Sequence, residues 1–159
     1  MLAEKDPITV NGKMKKLLFV MLAAFVCVSC SKDESDLAPN DGQYIARSGD
    51  MVVCMQLKGG RCSYFAPYIK GRIFHSWTNV TTSGSYPAYI YSIKDFTVQA
   101  RYSSLGAFTA TLSGVLHTEE SDALNTGQSL YIGVPASMQF NLDNSVLDAN
   151  GDGVLDSQQ

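Results

Sequence analysis

The chain has 159 residues, 45% of them hydrophobic and 17% charged, with 12 basic against 15 acidic side chains and a net charge of −3. That length and apolar content suit one globular domain. From Cys30 onward nothing basic clusters, which argues against nucleic acid as a partner.

In chain order, Met1–Lys13 shows no apolar period, and an over-extended start is expected there. Lys13, Lys15 and Lys16 are basic, Leu17–Val26 is an uninterrupted apolar run, and small residues follow up to Cys30. A positive start, a core of about 7–15 apolar residues and a small-residue cleavage site make a secretory signal. The run is too short for a spanning helix, which needs about 20 apolar residues. Ser29-Cys30, preceded by Val28, resembles the lipobox of bacterial lipoproteins, with Cys27 standing where an aliphatic residue is usual. The resemblance implies that residues 14–29 are removed and that Cys30 becomes the acylated first residue of the mature chain. Ser31-Lys-Asp-Glu-Ser-Asp36 resembles the acidic export signal of Bacteroidota surface lipoproteins, which implies display on the outer face of the outer membrane. The alternatives are a periplasm-facing anchor and a plain charged tether. From Cys30 onward there are eight basic and thirteen acidic side chains, a net of −5. Residues 30–43 are polar and read as the tether.

Processing leaves Cys54 and Cys62 as the cysteines of the domain. In an exported protein such a pair implies a disulfide, here across a hairpin turning at Gly59-Gly60. A loop of this size would stabilise by about 2–3 kcal/mol. Two free buried thiols are the alternative, and a metal is disfavoured because neither His75 nor His117 lies at ligand spacing.

Residues 44–147 read as a β-domain, because the dominant period is two. Candidate strands are Met51–Leu57, Arg61–Ala66, Ile69–His75, Tyr89–Ile93, Phe96–Tyr102, Phe108–Ser113, Gln128–Val134 and Met138–Leu142. Phe96, Val98, Ala100 and Tyr102 alternate with polar residues, as do Phe108, Ala110 and Leu112, and Ser104-Leu-Gly106 joins them as a hairpin turn. Pro67 and Ser83-Gly-Ser85 read as turns, and Thr118–Leu124 could hold at most one helical turn. Short strands at this spacing predict an all-β antiparallel β-sandwich, or alternatively a calycin-like β-barrel. The stretch Asp95–Leu116 resembles small Bacteroidota lipoproteins with such domains and unassigned roles.

No G-x-S-x-G elbow, no phosphate-cradling glycine loop and no nucleophile–base arrangement is legible, so a non-catalytic role is expected. Eight aromatic rings fall between Tyr64 and Tyr91. Such rings build cores, or they stack on sugars and anchor partners. Trp77 and Tyr86, in turn-rich surroundings, are the candidates for exposed glycan- or protein-binding rings. The reading is a binding or adhesion module. The alternatives are a structural component of a surface complex and a glycoside-active enzyme.

Residues 148–159 place Asp148, Asn150, Asp152, Val154 and Asp156 at positions one, three, five, seven and nine of a twelve-residue calcium loop, with Gly153 at six. This resembles EF-hand and dockerin loops. Gln159 replaces the bidentate Glu at position twelve, which implies weak Ca²⁺ affinity, about 10⁻⁴–10⁻³ M. An ion-free Asx-rich turn is the alternative, and a chain continuing past this point is also expected to be possible.

Overall fold

The computed structural model describes residues 37–118 and 128–159, which belong to one compact unit, Leu37–Gln159. The signal segment, Cys30 and most of the Thr118–Leu124 stretch lie outside the described residues. Among the described residues, nine strands form one antiparallel sheet: β1 (Gly42–Ser48), β2 (Met51–Lys58), β3 (Arg61–Ile69), β4 (Arg72–Ile73), β5 (Thr81–Ser85), β6 (Ala88–Ile93), β7 (Phe96–Ser104), β8 (Ala107–His117) and β9 (Ser129–Leu142). Their order is β4-β3-β2-β1-β9-β8-β7-β6-β5.

Two hairpin meanders, β1–β4 and β5–β9, meet where Tyr44 pairs Leu142 and Ile45 pairs Asn141. So short a joint lets the two half-sheets splay and face each other across one core, which makes the fold a β-sandwich. The outermost strands β4 and β5 share no ladder among the described residues, so no barrel closes.

Strict alternation fills the interior. On β7 and β8, Phe96, Val98, Ala100, Tyr102, Phe108, Ala110 and Leu112 are buried, and their neighbours face outward. Phe65 crosses the sandwich to Phe96 with ring centroids 5.6 Å apart. Tyr44 meets Phe108 at 5.4 Å, and Phe108 stacks on Phe140 at 4.7 Å. Inside this packing the phenols find polar partners, as buried hydroxyls must. Tyr91 and Tyr102 share a 2.9 Å hydrogen bond, and the Tyr91 hydroxyl also donates to the Gly60 carbonyl. Burial keeps both phenols protonated far above the ordinary tyrosine range.

Gly114 of β8 has φ +105°, and its missing Cβ leaves room for the Asp95 carbonyl. The β8–β9 register shifts beside it, from Leu112–Ala136 to Gly114–Ile132, with the extra residues on β9.

Several expectations are corrected. Pro67 is no turn: it is buried in β3 opposite Val53. Its missing N–H costs little because it faces the side covered only by the two-residue β4, where Phe74 N–H donates to the Pro67 carbonyl. Of Ile69–His75, only Arg72–Ile73 forms a separate strand. Gln128–Val134 and Met138–Leu142 merge into β9. Ser83-Gly-Ser85 belongs to a polar edge strand, with Gly84 at φ +88°.

The expected disulfide is absent: Cys54 and Cys62 are both free and buried. A bulge between Gln56 and Leu57 explains why. Cys54 faces Ala66 and packs in an outer cluster with Val52 and Tyr68, whereas Cys62 faces Leu57 in the sandwich interior. Without the bulge, Cys62 and Ala66 would share a face. With it, the two sulfurs point to opposite faces of the sheet, beyond the geometry a disulfide requires. Burial pushes both thiols up to about 12, so they behave as small apolar groups.

Candidate functional site

The outer face of β1–β4 is covered by the chain's own end. Ile45, Val52, Cys54, Ala66, Tyr68 and Leu155 form a second apolar cluster, with Tyr64, Ile73 and Leu147 packed against it. Leu147 and Leu155 are the two tail residues that pack into this cluster. Between them the backbone pairs with the sheet edge: Ile73 N–H donates to the Gly153 carbonyl at 2.7 Å and Leu155 N–H to the Gly71 carbonyl at 2.8 Å. Gly153 has φ +78°, and a Cβ there would meet Ile73 Cγ2 at 2.9 Å. Glycine is therefore required at this crossing for both conformation and space. At the other end Gln43 ties the tail down, its Nε2 donating to the Asp143 and Ser145 carbonyls at 3.0 and 2.8 Å.

The tail arches away from the sheet between these anchor points and leaves an open cleft of about 810 Å³. Tyr64, Tyr68, Ile73, Phe74 and Cys54 supply its floor; Arg72, Gln43, Asn144, Asp148 and Asp152 supply polar groups. Burial raises both floor phenols, Tyr68 to about 12, so their hydroxyls stay neutral donors and acceptors. Aromatic faces beside amides, a guanidinium and carboxylates suit a ligand that is apolar on one side and rich in hydroxyls around its rim.

The sequence-expected calcium residues border this cleft. Asp148 Oδ1 accepts from Gly151 and Asp152 N–H at 2.8 and 3.2 Å, and Oδ2 accepts from Gly153 N–H at 2.7 Å. Asn150 Oδ1 accepts from Asp152 N–H, Asp152 Oδ1 from Val154 N–H, and Asp156 from Ala149 N–H. The side chains thus wrap the loop around themselves. No three His, Cys, Asp or Glu side chains converge as a metal cluster among the described residues. The donor set is nevertheless all oxygen, as Ca²⁺ prefers, and each carboxylate retains lone pairs beyond those the N–H groups use. Asp148 and Asp152 lie on one wall of the cleft, on the same short loop.

Trp77 and Tyr86 fall elsewhere, which corrects the expectation that they are exposed. Trp77 is 7% exposed, because the chain after β4 returns to pair with Phe65: each donates its N–H to the other's carbonyl. Tyr86 is half-buried beside Tyr102 in the core. Of the eight rings between Tyr64 and Tyr91, Tyr64, Tyr68 and Phe74 line the cleft, Tyr68 as a buried ring of the outer cluster and Phe74 while also packing on the interior core, which takes the other five.

One arrangement was not legible in the sequence. Ser129 Oγ lies 2.8 Å from His117 Nδ1, and His117 Nε2 lies 3.9 Å from Asp95 Oδ2. The β8–β9 pairing puts Ser129 opposite His117, and the close approach at Gly114 brings Asp95 alongside. The His and Asp side chains are 43% and 63% exposed, so water screens the pair and neither group is held dry as an activated base requires.

No protein family, characterised relative or solved structure matches the chain.

Proposed function

We propose that this protein is a lipid-anchored, non-catalytic binding module of the bacterial outer-membrane surface, with a glycan as its ligand class and the tail-covered cleft as its seat. The anchor rests on the lipobox resemblance at Cys30 and the acidic stretch after it. The binding role rests on one observation: an open cleft of about 810 Å³ whose floor is Tyr64, Tyr68 and Phe74 and whose rim is Arg72, Gln43, Asn144 and Asp148. The half-buried rings of Tyr64 and Phe74, with neutral and charged hydrogen-bonding groups around them, are the kind of surface a sugar requires. Ca²⁺ held weakly by Asp148, Asn150, Asp152, the Val154 carbonyl and Asp156 would stiffen the wall that closes the cleft. A second reading, a component of a surface assembly, is favoured by β5, the outermost strand of the sheet, through which another chain could add a strand.

A glycan array probed with the full chain in detergent, in calcium and in chelator, tests the first reading. At least one glycan should be retained, more weakly in chelator. Arg72→Ala should weaken it by about tenfold, the usual cost of losing an interfacial Arg. Arg72 is exposed, so its side chain can be removed without disturbing the core. Retention of no glycan, or equal retention by Arg72→Ala, would remove the cleft as the seat.

A further inference from the structure

The outer face of the other half-sheet has a composition that solubility alone does not explain. Across five strands the register sets Ser83, Ile90, Gln99, Thr111 and Ser137 side by side in one row. The next row holds Ser85, Ala88, Arg101, Thr109 and Gln139, and a third holds Thr81, Ser92, Thr97 and Ser113. Of these fourteen positions only Arg101 is charged. An ordinary protein surface carries roughly 25–35% charged residues, which would place about four here. The charges of this region stand at its turns instead, at Lys94 and Asp95.

The rows are partly ordered by their own contacts. Thr109 Oγ1 donates to Gln139 Oε1 at 2.8 Å, and Thr97 and Ser113 share a 3.1 Å hydrogen bond. At one end the half-buried Val115 continues this face, and its partner Tyr131 is 71% exposed. Strands lie about 4.8 Å apart and successive same-face residues about 6.8 Å apart along each strand. The result is a broad grid of uncharged groups that both donate and accept, with one bare aromatic ring beside it.

From this we infer that the outer face of β5–β9 is a docking surface for an uncharged polysaccharide. The complementarity is one of charge and hydrogen bonding. A neutral polyol chain presents repeated hydroxyls and loses no ionic hydration on a neutral grid, and Tyr131 offers a face on which a sugar ring can stack. An acidic or basic polymer would find one charge to meet. A protein partner would find little apolar surface beyond Ile90 and Tyr131. This face lies on the opposite half-sheet from the cleft, so the inference goes beyond the cleft reading and stands or falls separately.

Co-sedimentation of the full chain, in detergent, with insoluble cellulose, chitin and starch granules tests it. Depletion by at least one of these should persist at high salt, because no ion pairs are involved. A Tyr131→Ala, Gln99→Ala double variant changes only exposed side chains and should bind at least tenfold more weakly, whereas Lys58→Ala, exposed and outside both this face and the cleft, should bind like the wild type. Depletion by none of the three, equal depletion by the double variant, or an equal loss of depletion in Lys58→Ala would overturn the inference. So would a concentration-dependent dimer in light scattering that the double variant abolishes, which would assign the face to a second copy.

Discussion

Replacing Phe108 with Ala lowers the stability of the domain by about 3–5 kcal/mol, the range for removing a buried aromatic ring. Phe108 is fully buried, stacks on Phe140 with ring planes 6° apart, and is tilted against Tyr44 and Tyr102. Those contacts come from β9, β1 and β7, and both meanders of the sandwich meet at this ring. Truncation therefore opens a cavity that no single strand can collapse into. Urea unfolding monitored by circular dichroism measures the effect as a lowered midpoint. A loss under about 1 kcal/mol would mean that the core does not converge here.

Leu155→Ala costs about 2–3 kcal/mol, toward the lower end for a buried leucine because the outer cluster is small. Leu155 is 3% exposed and, with Leu147, pins the tail over Val52, Cys54 and Tyr68. Its loss also frees the segment that walls the cleft, so glycan retention should fall with stability even though Leu155 touches no ligand. Val146→Ala is the control: 71% exposed, it should change stability by no more than about 0.5 kcal/mol. A Leu155→Ala variant as stable as Val146→Ala would show the tail to be an appendage.

The strands with one wet and one dry face were legible in the sequence. The β7–β8 hairpin and β6 lie close to where alternation placed them, because the sandwich buries every second residue there. Elements whose identity depends on neighbours were not legible. β5 reads Thr-Thr-Ser-Gly-Ser and has no apolar face to announce it; pairing with β6 makes it a strand. Trp77 looked exposed among turn residues, and only the return of the chain to Phe65 buries it. The cysteine pair failed on one bulge, which reversed the facing of Cys62 and which no residue spacing encodes.

The site divides in the same way. The Asx-rich spacing of Asp148, Asn150, Asp152 and Asp156 was visible, and the structure folds that spacing into a self-bonded loop. Its docking was not anticipated, although Leu147 and Leu155, eight residues apart in the tail, were the available signal. Tyr64, Tyr68 and Phe74 reach the cleft because the tail arches over one half-sheet, a long-range arrangement that local period cannot show.

Both proposed binding surfaces would meet a glycan only if the domain is carried to the outside of the cell, and Cys30 is the proposed anchor for that. Two acyl chains hold a protein stably at a membrane where one holds it marginally. Mass spectrometry of the protein purified from the membrane fraction is the most direct test. The expected result is a mature chain whose first residue is a lipid-modified Cys30, with Met14–Ser29 removed. An intact Met14–Ser29 segment joined to an unmodified Cys30 would contradict surface anchoring and the function proposed from it.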